Sequence, residues 1–248
     1  MTAFERPTID LDGSWSFIPD PDRRHAPDAL PAGVPVVVPG SWEASVPGSG
    51  GIVHAWYRRS FDVPGGWLGG RVRLRFGACL ERCRAWLNGR EVGGAQTAWT
   101  PFTLDVTEAV RFGGANELAV LVSNPFNAFT DYPAFDPAIV DATAQALGPE
   151  LPLAGLPMGK QNWYGSTSGL TRSVRLERVA PVHLGGIRVQ PDLWGARAGV
   201  SWSVEAAEDV AGRPAEGSTV LELAVRDSGG AMVAAARIDV PRSGRGEA

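Results

Sequence analysis

Arg71-Val72-Arg73-Leu74-Arg75-Phe76 alternates without a fault between charged and apolar side chains, and this period of two limits what the chain can fold into. Val72, Leu74 and Phe76 face one way and three arginines the other, as in a strand with one dry and one wet face. Glu117–Val122 repeats the pattern with Leu118, Val120 and Val122 inward, and Ser173–Glu177 repeats it with Val174 and Leu176. Further strands are expected at 14–18, 35–39, 56–63, 83–88, 102–106 and 182–190. Asn88-Gly89 is the strongest hairpin signal, because both central positions of a type I′ turn require positive φ. Only one short helical turn, Thr107 to Val110, is expected between the strands. The pattern predicts an antiparallel all-β sandwich over about residues 8–180.

Composition narrows the function. The 248 residues carry a net charge of −4, too acidic for a chain whose affinity rests on phosphate contacts, so no nucleic-acid partner is expected. No run approaches the ~18 apolar residues of a membrane span. Met1–Pro7 lacks the basic start and apolar run of a secretory leader, and a cytoplasmic location is the expectation. In that compartment Cys79 and Cys83 read as reduced thiols. His25, His54 and His183 are scattered, so no metal and no cofactor is expected.

One segment breaks the rhythm. Between Asn124 and Ser168 no strand pattern is sustained, and six prolines mix with Phe126, Phe129, Tyr132, Phe135, Trp163 and Tyr164. A connection of that length is usually functional or disordered, and its aromatics argue against disorder. A short apolar helix around Ile139 to Leu147 fits within it. From about residue 182 the alternation restarts: Val200, Trp202 and Val204, then Leu221, Leu223 and Val225, then a last strand near Met232 to Val240. About four strands is short of the seven of an immunoglobulin-like sandwich, so an apolar face and strand edges are expected to lie uncovered.

The ordered motifs are specific as a set. They run Leu11-Asp12-Gly13-Ser14-Trp15, Val38-Pro39-Gly40-Ser41-Trp42-Glu43, Trp56-Tyr57-Arg58-Arg59-Ser60-Phe61-Asp62-Val63-Pro64 and Ala85-Trp86-Leu87-Asn88-Gly89-Arg90. Thr100-Pro101-Phe102-Thr103-Leu104-Asp105, Gly159-Lys160-Gln161-Asn162-Trp163-Tyr164-Gly165 and Ser168-Gly169-Leu170-Thr171-Arg172 complete the series. In this order they resemble the N-terminal sugar-binding domain of glycoside hydrolase family 2, which includes β-galactosidases, β-glucuronidases and β-mannosidases. The resemblance implies a galactose-binding-like jelly roll over residues 1–181 and the start of an immunoglobulin-like domain over 182–248. It also implies a (β/α)₈ barrel that hydrolyses a β-glycoside with retention. A barrel takes about 250 residues, so this chain is expected to be non-catalytic and to partner a catalytic barrel lying outside it.

Lys160, Gln161, Asn162, Trp163 and Tyr164 concentrate cation, amide and aromatic groups in a loop, the mixture a sugar needs for its hydroxyls and its C–H face. The resemblance implies that this loop reaches the barrel and that an Asp commonly stands at the place of Asn162. An amide there still binds hydroxyls but carries no charge. Trp56 and His54, beside the loop Gly48-Ser49-Gly50-Gly51, form the second candidate. For both candidates the plainer reading is packing against the sandwich, and Trp15, Trp42 and Trp86 read as core. Asp131, Asp136, Asp141 and Glu150 show no pair spacing, so no catalytic residue is expected. Two alternatives remain open: a stand-alone carbohydrate-binding module, and a structural sandwich that binds other proteins.

Overall fold

The computed structural model describes residues 6–96, 98–128, 167–195, 197–206, 220–240 and 245–247. Contacts divide the chain into two units, Met1–Arg178 and Val179–Ala248.

The first unit holds ten strands: β1 (Thr8–Asp10), β2 (Gly13–Pro19), β3 (Val34–Val38), β4 (His54–Val63), β5 (Arg71–Phe76), β6 (Arg82–Leu87), β7 (Arg90–Ala95), β8 (Phe102–Asp105), β9 (Gly114–Ser123) and β10 (Val174–Val179). They form a six-stranded sheet ordered β3-β2-β4-β9-β6-β7 and a four-stranded sheet ordered β1-β10-β5-β8. The six-stranded sheet is antiparallel throughout, as are the pairs β1–β10 and β5–β8. This is the antiparallel all-β sandwich that the alternation predicts, in the jelly-roll form that the resemblance implies.

Alternation explains the core. Val72, Leu74 and Phe76 of β5 are fully buried, while Arg71, Arg73 and Arg75 lie on the outer face. Leu118, Val120 and Val122 of β9 meet them in one apolar cluster with Trp15, Phe17, Tyr57, Val174 and Leu176. Each such side chain stabilises the fold by about 1.5–3 kcal/mol through area removed from water. Trp15 donates its indole N–H to the Leu11 carbonyl at 2.7 Å and meets Tyr57 edge to face, so its polar atom is satisfied without leaving the core.

A smaller apolar cluster lies on the outer face of the six-stranded sheet. Ile18, Trp56, Trp86 and Ala119 pack there with Leu30 and Leu121, and the Trp56 and Trp86 rings stand 5.1 Å apart. Trp86 is therefore buried as expected, but outside the space between the sheets. At the β6–β7 turn Asn88 and Gly89 have φ of 55° and 82°, as a type I′ turn demands. Asn88 also donates to the Ala109 carbonyl and accepts from the Glu117 N–H, tying the hairpin to β9. The expected helical turn is a 3₁₀ turn at Thr107–Ala109. A four-residue helix, α1 (Trp42–Ser45), was not expected; its first turn is capped by the Ser41 hydroxyl.

The second unit holds β11 (Val182–Asp192), β12 (Arg197–Ala206), β13 (Val220–Arg226), β14 (Met232–Asp239) and β15 (Arg245–Glu247). β11, β12 and β15 make one sheet and β13–β14 a separate hairpin. Among its described residues Trp202 is the one buried large apolar side chain, while Ile187, Val189, Leu193, Trp194 and Val233 are more than half exposed.

Candidate functional site

Chemistry-bearing side chains gather where the long connection leaves and re-enters the first unit. Its departing end is a 3₁₀ turn at Pro125–Ala128, and its returning end is Thr167–Ser168. Glu43 of α1 grips both ends: one carboxylate oxygen accepts from the Ser168 N–H at 3.0 Å, the other from the Asn127 amide at 3.3 Å. The Ser168 hydroxyl accepts from Asn124 at 2.7 Å and from Asn127 at 3.0 Å. Asn127 also donates to the Ile52 carbonyl at 2.7 Å, and the Asn124 N–H donates to the Val53 carbonyl. All three side chains joined to Ser168 are thus held by several bonds, although the buried Asn127 Oδ1 accepts none.

Replacing Glu43 by Ala leaves the Ser168 N–H without its acceptor, while the two Asn127 amide hydrogens keep the Ile52 carbonyl and the Ser168 hydroxyl. The expected cost is about 2 kcal/mol, read as a lowered urea midpoint, with faster proteolysis between residues 124 and 168. Glu43→Gln keeps one acceptor and is expected to lose less.

Directly beneath the returning strand, Gly169 and Leu80 exchange two backbone hydrogen bonds of 3.0 and 3.2 Å. Gly169 has φ of 112°, and a Cβ there would stand 2.5 Å from the Tyr57 hydroxyl. Burial, with Cys79 and Glu43 nearby, drives the Tyr57 phenol well above its ordinary pKa, so it stays neutral. Burial likewise raises the Cys79 thiol, which shares a hydrogen bond with Cys83; both cysteines are free and buried.

His54, a candidate from sequence, lies buried in a second polar cluster. Arg23 donates through Nε to His54 Nε2 at 3.0 Å, so that ring nitrogen is the acceptor, and Nδ1 carries the proton toward the Ser123 hydroxyl at 2.9 Å. In this tautomer His54 cannot take the serine proton, and the pair is no nucleophilic dyad. Burial and the Arg23 charge push His54 down to about 4. Trp56, its companion candidate, is also buried; its indole donates to Asp20 at 3.0 Å. Asp20 further accepts the Arg24 and His25 N–H groups. Burial opposes ionisation of Asp20, but these bonds hold its pKa below the ordinary value. Neither Trp56 nor His54 presents an open surface to a sugar.

The structure brings His54 and Trp56 together through Asp20 and Arg23. Lys160, Gln161, Asn162, Trp163 and Tyr164 lie outside the described residues, as do the helix expected at Ile139 to Leu147 and the acids Asp131, Asp136, Asp141 and Glu150. The residues that sequence reasoning missed are Glu43, Asn124, Asn127 and Ser168. Their signal was the clustering of amide and hydroxyl groups at both ends of one patternless stretch.

Among the described residues the buried carboxylates are Asp20, Glu81 and Glu177. Asp20 is consumed by Trp56 and two N–H groups, and Glu177 pairs with Arg175 on the other sheet. Burial raises Glu81 to about 7, with the Arg82 charge opposing. No group of three or more His, Cys, Asp or Glu that could hold a metal ion occurs among the described residues.

Residues 44–138 match the family model described as "Glycosyl hydrolases family 2, sugar binding domain". A β-glucuronidase of Paenibacillus borealis is 27% identical over 210 residues, covering 80% of this chain and 34% of that protein. A β-galactosidase of Thermoanaerobacter pseudethanolicus is 32% identical over 71 residues, covering 28% of this chain and 10% of that protein. Among solved structures, a β-glucuronidase from Ruminococcus gnavus in complex with D-glucuronic acid superposes with a TM-score of 0.68 at 20% identity, covering 100% of this chain and 40% of that one. The chain spans about a third or less of the length of these curated relatives.

Proposed function

We propose that the chain carries the N-terminal sugar-binding domain of glycoside hydrolase family 2 and is the non-catalytic portion of a retaining β-glycosidase of the β-glucuronidase type. Its work is to support a catalytic barrel and to hold the 124–168 connection toward the barrel's sugar subsite. One observation supports this reading above the others: the Glu43–Asn124–Asn127–Ser168 clamp, which fixes both ends of that connection on the sandwich. A loop that must position Lys160, Gln161, Asn162, Trp163 and Tyr164 against a substrate held elsewhere needs such a base. Two free cysteines favour a reducing, cytoplasmic setting.

The experiment joins this chain to the barrel-bearing remainder of the Paenibacillus borealis relative. p-Nitrophenyl β-glucuronide is the substrate for the 248-residue chain and for the chimera. The chain alone is expected to be inactive and the chimera active, with turnover reduced at least about tenfold by Asn162→Ala. Hydrolysis by the chain alone, or a folded but inactive chimera, would overturn the reading. Calorimetry on the chain alone separates the carbohydrate-module alternative: saturable binding of neutral galactosides or mannosides favours that alternative.

A further inference from the structure

Asn88-Gly89 is the one Asn-Gly pair in the chain; the other asparagines stand before Glu117, Pro125, Ala128 and Trp163. In an Asn-Gly pair no side chain shields the backbone nitrogen that follows the asparagine, so that nitrogen can reach the amide carbon. Gly89 is exposed, and nothing lies within 4 Å of the place a Cβ would take. Glycine therefore serves the turn's φ of 82° and not a close approach.

The fold holds the Asn88 amide away from this attack. Nδ2 donates to the Ala109 carbonyl and to Asn116 Oδ1, both at 2.8 Å, and Oδ1 accepts the Glu117 N–H at 3.0 Å. The Asn88 N–H donates to the Glu117 carbonyl at 2.8 Å. Asn116 is buried and fixed: its amide donates to the Arg111 and Gly114 carbonyls, and its oxygen also accepts the Arg111 N–H. Swinging the Asn88 carboxamide toward the Gly89 nitrogen breaks its three side-chain bonds and takes a donor from a buried acceptor.

We infer that Asn88 is a spontaneous deamidation site gated by opening of the β6–β7 hairpin, and that the change is one-way. In the open hairpin the Gly89 nitrogen attacks Asn88 Cγ. The new N–C bond displaces the side-chain NH₂, which leaves as ammonia with the Gly89 proton. Water, the one co-reactant, then opens the cyclic imide at either carbonyl, giving aspartate or isoaspartate. The new carboxylate has no N–H to offer the Ala109 carbonyl and Asn116 Oδ1, so the turn cannot close again at its former stability. The inference rests on the turn alone and does not depend on any role of the chain in hydrolysis.

Incubating the full chain at mildly alkaline pH, folded in buffer and unfolded in urea, tests the gate. The tryptic peptide Ala85–Arg90 carries the pair. Its deamidated and isoaspartate forms are expected to accumulate at least about tenfold faster in urea, because the folded chain reacts only in proportion to its open population. Equal rates would overturn the gating. A second arm compares Asn88→Asp with Asn88→Gly. Glycine accepts the positive φ and drops the side-chain bonds without adding charge, so the Asp variant is expected to have the lower urea midpoint of the two. An Asp variant as stable as the parent or as the Gly variant would overturn the one-way consequence. If either variant does not fold, parent protein refolded after timed incubation in urea gives the same reading: its deamidated fraction is expected to unfold at lower urea than the unmodified fraction, and coincident unfolding would overturn it.

Discussion

Gly169→Ala is expected to cost about 3–4 kcal/mol, a large share of the about 5–15 kcal/mol that keeps an ordinary domain folded. Three effects add at this position. A Cβ at φ of 112° is strained by about 1–3 kcal/mol wherever it sits. Here it would also stand 2.5 Å from the Tyr57 hydroxyl and 3.2 Å from the Gly40 carbonyl. Neither neighbour yields easily: Tyr57 is 1% exposed and fixed among Trp15 and Phe17, and the Gly40 N–H is bonded to the Leu170 carbonyl. Relief must come from moving residue 169, which breaks its two bonds to Leu80. Urea denaturation followed by tryptophan fluorescence measures the loss. Gly48→Ala is the control, since its φ of 78° carries the strain while its Cβ meets nothing within 4 Å. A Gly169→Ala loss no larger than that of the control would refute the steric account.

The second large effect is a pair of opposed pH dependences around Ser123. His54 bonds the Ser123 hydroxyl, and the Glu81 N–H donates to the Ser123 carbonyl at 3.3 Å. Burial, with Arg23 beside it, lowers His54 from 6.5 to about 4, so the unfolded chain binds the extra proton between those values. Stability from His54 is therefore full above pH 6.5 and is lost as pH falls toward 4, by as much as about 3 kcal/mol. Burial raises Glu81 from 4.5 to about 7, with Arg82 opposing, so the folded chain keeps the extra proton. Stability from Glu81 is full below pH 4.5 and is lost as pH rises toward 7, again by as much as about 3 kcal/mol. The two nearly cancel in the parent between pH 4.5 and 6.5. Urea midpoints at pH 4.5, 5.5, 6.5 and 7.5 should therefore rise steeply for Glu81→Gln and fall for His54→Gln. Parallel curves for all three proteins would show that these groups are solvated in the fold.

How much of this could be read beforehand depended on the range of the interaction. β5 and β9 were legible because alternation is local and each apolar residue in Val72-x-Leu74-x-Phe76 needs the same dry side. The Asn88-Gly89 turn was legible because its φ values are a property of two adjacent residues. β1, with three residues, carries too short a pattern to stand out, and it exists because Ile9 and its neighbours pair with Leu176 and the residues beside it, far along the chain. The clamp was hidden for the same reason: Glu43 meets Ser168 across the whole sandwich, and nothing near Glu43 in sequence announces it. Trp56 and His54 were singled out for their chemistry, but Asp20 and Arg23 spend their polar atoms inside the fold.

The sealed foot of the 124–168 excursion has an evolutionary corollary. Glu43, Asn124, Asn127 and Ser168 fasten the stem to the sandwich, so lengthening or rewriting the intervening stretch adds little closure entropy, about 0.6 kcal/mol per doubling. Descendants of this scaffold could thus exchange the whole intervening stretch while leaving the anchoring residues untouched.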